Sequence, residues 1–455
     1  MLVIVSDIHL GDGTCGKSIS ASAFHLFGDR LRELAFDASW RTNDTYQPIQ
    51  DIDILMLGDI LDPLHSTLWL EKGLGEPGYV RPWTDFRAPE YAAKLQEITH
   101  AILKNNAEAA SILKDLAQKG FSLPLTSRRE HPKKIICRHV PVKIRLHYMV
   151  GNHDWYYHLP GPAFDAVRQE IVDALGLTNP IGPFPHELRE SKELQDLMGR
   201  YQVYAQHGDL YDSFNYNKDK GRDASTLGDV FAVEIINRFP VEAERRLKED
   251  LPPGFLESLH DLVNVRPALA TPLWVSSQLQ QNNVSPAVQQ KLKSLWDELG
   301  DEFLALPFVR EANKPFKFDI VDGLELAIKL TDRFSFKTID DLVIWVRKKF
   351  WSEEITFAKH ALKEEAFLNR SAQFVVYGHT HHYEIVPLDS FSHATRLTNQ
   401  MYINSGTWHT YFDLAVYKPE EQKFIPYQVL TYLTFYKDDE RGGRRFETWS
   451  GAFSE

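Results

Sequence analysis

Five short clusters in this chain combine aspartate, histidine and asparagine in the way cation sites do. They are Asp7-Ile8-His9, Gly58-Asp59-Ile60-Leu61-Asp62, Gly151-Asn152-His153-Asp154, Gln206-His207-Gly208-Asp209 and Gly378-His379-Thr380-His381. Neutral imidazoles suit zinc, manganese or iron. Asp59 has two oxygens with which to bridge two cations, and the amide oxygen of Asn152 is a neutral ligand. His207 is the remaining ligand candidate, and His153, beside Asn152, is the candidate proton donor. Taken singly, Asp-x-His is a charged loop and Gly-Asn a turn. Gathered into one cleft, these groups would be costly to bury without cations to neutralise and satisfy them.

The elements that must position them are strands. Leu2-Val3-Ile4-Val5, Ile52 to Leu57, Leu146 to Val150, Tyr201 to Ala205 and Phe374 to Tyr377 are short apolar runs. They read as strands buried in an α/β sheet, which places its ligands at strand carboxyl ends. Glycines at 58 and 378 allow close approach and a sharp turn. A spacing of two sends Asp7 and His9, and likewise His379 and His381, to one side of an extended chain. Asp62 is read as a helix cap ahead of an outer support for the site. Asp209 is expected to orient His207 or a neighbour.

A chain of 455 residues with 43% hydrophobic and 12% aromatic content can bury a large core, so disorder is not expected. The net charge of −12 argues against a general grip on nucleic-acid phosphates. Two cysteines, Cys15 and Cys137, are too few for a disulfide framework and favour a reducing cytoplasm. The opening Met-Leu-Val-Ile-Val-Ser is too soon charged for a signal peptide, and no apolar run reaches the ~18 residues of a membrane span.

Around the clusters, Ala88 to Lys119 has helical apolar spacing closed by Gly120, as one or two amphipathic helices. Arg128, Arg129, Lys133, Lys134 and Arg138 form a basic stretch, read as a solvated loop ahead of a phosphate contact. Residues 214–369 show helical spacing at Asp229–Asn237, Pro286–Leu299, Asp319–Leu330, Asp340–Phe350 and Ser352–Leu368, the last with Ser352 as N-cap. This stretch is expected to be a mostly helical insertion walling the cleft, with Trp274, Trp296, Trp345 and Trp351 in its core. Met401 to Trp408 reads as a further strand and turn, in which Asn404 either supports the site or simply forms the turn. Phe424–Tyr436 and Arg444–Trp449 flank Gly442-Gly443 and predict a hairpin finishing a second sheet.

The ordered set Asp7-x-His9, Gly58-Asp59, Gly151-Asn152-His153-Asp154, His207 and Gly378-His379-x-His381 resembles the calcineurin-like metallophosphoesterase superfamily. Its wording is most similar to the bacterial UDP-2,3-diacylglucosamine pyrophosphohydrolase branch. The resemblance implies a mixed α/β (α+β) fold, a four-layer αββα sandwich, built from residues 1–213 and 370–455 and carrying a helical insertion at 214–369. It implies two divalent metal ions, manganese first, with iron, zinc or cobalt as alternatives. Asp7, His9, Asp59 and His381 would hold one, and Asp59, Asn152, His207 and His379 the other. His153 would stand nearest the leaving group.

Two divalent cations bring about +4 and two carboxylates return about −2, leaving a positive cleft that draws in phosphate. Cations ~3.5–4 Å apart activate a bridging water and clamp phosphoryl oxygens for in-line attack, so no protein nucleophile is needed. The expected function is a metal-dependent phosphoric ester hydrolase acting on a small nucleotide or sugar-nucleotide phosphodiester or pyrophosphate. A lipid-linked substrate comes second, because the insertion is longer than that branch leads one to expect. A DNA or RNA nuclease comes third. From a different class, the fold could serve as a non-catalytic scaffold holding a protein partner through the insertion.

Overall fold

The computed structural model describes residues 1–126, 138–266, 271–312, 357–393, 396–415 and 423–453. Arg128, Arg129, Lys133, Lys134, Trp345, Trp351, Ser352 and the helices expected at 319–330 and 340–350 lie outside the described residues. Arg138 is exposed.

Two mixed sheets carry the fold. Strands β1 (Leu2–Val5), β2 (Asp51–Leu57) and β4 (His139–Met149) run parallel in the first sheet, with β3 (Phe121–Pro124) antiparallel to β4 at the edge. The other edge of β1 pairs antiparallel with β11 (Phe424–Phe435), at Leu2↔Phe435. Beyond β11 come β10 (Trp408–Leu414) and β6 (Val265–Arg266), while β12 (Phe446–Phe453) also pairs with β11. The second sheet runs β5 (Val203–Ala205), β7 (Phe374–Tyr377), β9 (Arg396–Asn404) and β8 (Glu384–His393), the first three parallel.

Alternation along the strands decides which face packs on what. Leu2 and Ile4 of β1 point into one core with Leu55, Leu57, Phe374, Val376 and Ile403, which joins the two sheets face to face. Val3 and Val5 point the other way, onto the helices Ala21–Ala38, Pro89–Asn105, Ala107–Lys119 and Pro162–Leu175. The outer face of the second sheet, with Val375, Tyr377 and Tyr402, is covered by Ala358 and Ala361.

The segment 88–119 is two helices, within the expected one or two, broken at Asn106 and closed by Gly120. Two other expectations change. Tyr201 ends a helix, Lys192–Tyr201, rather than opening a strand, because the Gln202 turn follows it. The 424–449 hairpin belongs to the first sheet, not the second. Its connection is a loop containing a 3-10 turn at Glu440–Gly443.

Within 214–369, the described residues of 227–312 are mostly helical around their own core of Phe231, Phe239, Trp274, Trp296 and Phe303, yet they lend β6 to the first sheet beside β10. They dock through a π-helix, Ala232–Asn237. Glu234 there accepts from the buried Arg81 Nε at 2.8 Å, and Asn237 Nδ2 donates to the Leu64 carbonyl at 3.0 Å.

Candidate metal centre

Parallel strands of both sheets deliver their carboxyl ends to one cleft, and the turns that follow are laced together. Asp7 N donates to Gly58 O at 3.0 Å, His9 N to Asp59 O at 3.0 Å, and Asp62 N to Leu10 O at 2.9 Å. From the second sheet, Gly378 N donates to His207 O at 2.9 Å. Across the cleft, Trp408 N donates to Asp7 O at 3.0 Å, and Thr407 Oγ1 to the same oxygen at 2.7 Å.

These bonds hold the ligand-bearing residues out of extended geometry. Asp7, His9, Asp59, His379 and His381 all have positive φ, between 51° and 66°. Such backbone is costly for residues with a side chain and collects where geometry is functional. The pairs therefore face one way through left-handed turns, not through strand alternation. Space is tight as well. A methyl group at Gly58 would stand 2.5 Å from His207 Nδ1, and one at Gly378 would stand 2.6 Å from Asp7 Oδ2.

The expected ligands fall into two groups, Asp7 with His9 and His381, and Asp59 with His207 and His379, and His9 also stands with Asp62 and His153 in an adjoining one. His381 Nε2 lies 3.2 Å from Asp7 Oδ1 and 3.1 Å from His9 Nε2. His207 Nε2 lies 3.2 Å from Asp59 Oδ2 and 3.2 Å from Asn152 Oδ1, and His379 Nδ1 lies 2.9 Å from that amide oxygen. His9 Nε2 is 4.0 Å from Asp59 Oδ2, so Asp59 stands between the groups. The structure thus brings together Asp7, His9, Asp59, Asn152, His207, His379 and His381. His153 is at the rim, its backbone N donating to Asp59 Oδ1 at 2.8 Å.

The outward-facing nitrogens test whether these residues fit a cation. His9 Nδ1 is 3.0 Å from Asp62 Oδ2, His207 Nδ1 is 2.9 Å from the Leu57 carbonyl, and His379 Nε2 is 3.1 Å from Asp212 Oδ2. Each ring thus gives its N–H to an outer acceptor and turns its other nitrogen toward the shared centre, as metal-bound histidines do. Ligand atoms bonded at ~2.0–2.2 Å to one cation lie roughly 3–3.5 Å apart. The contacts within each group match that spacing, so the donor set fits two divalent ions.

Charge is arranged accordingly. Burial alone would raise the carboxyls of Asp7 and Asp59. The imidazoles of His381 and His207 outweigh it at Asp7, and those of His207 and His153 do so at Asp59, holding both below the usual range. Burial would likewise lower His207, but the Asp59 and Asp7 carboxylates hold it well above the ordinary imidazole value. Metal-free His207 therefore carries a proton at neutral pH that a cation must displace. The sign follows: this ion pair stabilises the metal-free fold fully below the unfolded imidazole value of about 6.5 and is lost as pH rises through the raised one. The gap in melting temperature between manganese-loaded and chelator-treated protein is expected to widen from pH 6 to pH 9. A constant gap would show that no ligand proton is displaced.

Sequence reading missed Asp212 and Asp154 as supports of the ligands, and for Asp62 it put the cap first where the outer support holds: its carboxylate meets His9, His65 and His153 at 2.9–3.1 Å. Asp209 turns away from His207 and pairs with Arg222 at 2.9 Å. Asp212, five residues after His207, carries His379, and that spacing was its only local sign. Replacing Asp212 by Ala is expected to weaken manganese binding 10–100-fold, read by metal titration, and to lower the melting temperature of chelated protein modestly, because Asp212 also accepts from Phe214 N and Asn215 Nδ2. Asp154 braces the site by accepting from Gly151 N at 2.6 Å, Ile60 N at 3.0 Å and Tyr148 OH at 2.6 Å. Burial, then the nearby Asp59 charge, push its carboxyl up to about 7. Asn404 both supports the site and forms the turn: Nδ2 donates to Gly378 O at 2.8 Å, and Oδ1 accepts from Gly406 N.

No protein-family model matches the chain, and no curated protein matches it. No helix among the described residues is long and apolar enough to cross a membrane.

Proposed function

We propose that this chain is a dinuclear-metal-dependent phosphoesterase of the calcineurin-like type. Its substrate would be a phosphodiester or pyrophosphate of a small nucleotide or sugar nucleotide. The observation that carries the reading is the pair of donor groups around Asp59, with the rings of His9, His207 and His379 each anchored from behind. Face-to-face sheets with helices outside both are the arrangement expected of such an enzyme. Manganese is the first choice of metal, followed by iron, zinc or cobalt. With only two cysteines, the chain suits a reducing compartment, and we place it in the cytoplasm.

When bound, the two cations would supply Lewis-acid polarisation of the phosphoryl oxygens and a lowered pKa for attacking water. The chain's own groups do the rest. Asp7, His9, Asp59 and His381 would hold one ion, and Asp59, Asn152, His207 and His379 the other. Asp62 Oδ1 and Oδ2 both lie 3.1 Å from His153 Nδ1, which fixes that ring. His153 Nε2 is then the atom that hands a proton to the departing oxygen.

Metal analysis combined with hydrolysis of phosphomonoesters, diesters and pyrophosphates in manganese, cobalt and zinc tests the proposal. Two ions per chain and salt-insensitive turnover of a small diester are expected. Cleavage of DNA or RNA with steep salt dependence would instead favour a nuclease, against which the net charge of −12 speaks. Failure to bind any divalent ion would leave a protein-binding scaffold as the better reading.

A further inference from the structure

Asn264 is a buried primary amide, 1% exposed, and neither its Oδ1 nor its Nδ2 has a hydrogen-bond partner among the described residues. Burying an amide without partners is costly, and native chains rarely do so without a use for it. Its position is fixed from behind. It ends a 3-10 turn, His260–Asn264, whose Leu262 is in the core, and the next residue, Val265, is buried and in register with Phe412 of β10. In front, a methyl at Gly16 would stand 3.5 Å from both amide atoms.

The amide lines a cavity shared with His9, His65, His409, Ser18 and Lys17, directly beside the first group of metal ligands. The free space is about 10 Å³, room for one water-sized group. Polar side chains on the walls exclude a hydrocarbon occupant. A group of that size which both donates to Oδ1 and accepts from Nδ2 is a water or a hydroxyl.

We propose that Asn264 is a specificity-determining residue that reads a sugar hydroxyl on the organic part of the phosphoester, with that hydroxyl replacing a water in this cavity. The proposal rests on the phosphoesterase reading and deepens it. The insertion thereby contributes to choice of substrate through one residue set at the His9 side of the centre.

The probes are the p-nitrophenyl esters of uridine 5′-phosphate and of 2′,3′-dideoxyuridine 5′-phosphate, which differ only in hydroxyls. Calorimetric binding of the two corresponding free nucleotides is the second readout. Manganese-loaded wild-type protein is expected to favour the hydroxylated ester by at least about tenfold in kcat/KM, with the same order of preference in Kd. In Asn264→Ala both ratios are expected to fall toward one, chiefly by loss on the hydroxylated compound, with two ions still bound per chain. Equal use of the two esters by wild-type protein would overturn the proposal without any variant, and would mean that the amide binds water only. Retention of the preference in Asn264→Ala would overturn it as well. These outcomes leave the phosphoesterase reading standing. If metal-loaded wild-type protein hydrolyses neither these esters nor any other small phosphoester, both readings fall together.

Discussion

Replacing Asp59 by Ala is expected to reduce bound metal from two ions per chain to one or none and to lower turnover by about a thousandfold or more. Asp59 is the carboxylate nearest both donor groups, 3.2 Å from His207 Nε2 and 4.0 Å from His9 Nε2. Its loss would remove a ligand from each ion at once, together with the negative charge that makes a second cation tolerable nearby. Metal-derived stabilisation of phosphoryl transfer amounts to several kcal/mol, and each ~1.4 kcal/mol is a factor of ten. Elemental analysis of dialysed protein reads the first effect, and initial rates on a small diester read the second. The variant is also expected to show altered behaviour before metal is added, because the His207 proton loses its main partner. Two ions per chain in Asp59→Ala would rule out the shared-carboxylate arrangement.

Replacing His153 by Ala is expected to behave differently. Metal content should stay at two, since Asp7, His9, Asp59, Asn152, His207, His379 and His381 all remain, although His153 also stands close to His9 and Asp62, while kcat falls about 10²–10⁴-fold, the usual weight of a positioned proton donor. The drop should depend on the leaving group. An ester of p-nitrophenol, whose anion leaves readily, should lose little, and an alkyl ester should lose nearly the full amount. The fall in rate on the basic side of the pH profile should disappear with the ring. Equal losses on both esters would reassign His153 to substrate binding. Loss of a metal ion would place it among the ligands.

The legibility of these features in the sequence follows their range. Leu2–Val5 and Phe374–Tyr377 announced themselves because buried parallel strands are short, β-branched and apolar, and each delivers its charged residues at a fixed end. The grouping of Asp7 with His9, and of His379 with His381, was readable for a reason that does not hold in three dimensions, since all four sit in left-handed turns. Asp212 stayed hidden, and Asp62 reads first as a cap, because their work is to accept an N–H from a ring brought by another turn, and no local pattern encodes that direction. The placement of β11 against β1 was also hidden, being an antiparallel pairing between the two ends of the described chain. Asn264 lies in Asp-Leu-Val-Asn-Val, where only the cavity around it distinguishes it from an ordinary loop residue.

The pairing Leu2↔Phe435 bears on how the molecule is made. On a ribosome β1 emerges before β2 and β4 and can recruit each in turn, but its other edge lacks its β11 neighbour until Phe424–Phe435 is synthesised. At ordinary elongation speeds that is a delay on the order of tens of seconds. Over that interval a buried, β-branched strand edge stands open to other nascent chains. His379 and His381 also arrive late, so Asp7 waits beside Asp59 without its His381 partner. Early divalent-ion capture by Asp7 and Asp59 would relieve that repulsion. Yield of properly assembled protein should therefore respond to metal supply during expression as well as afterwards.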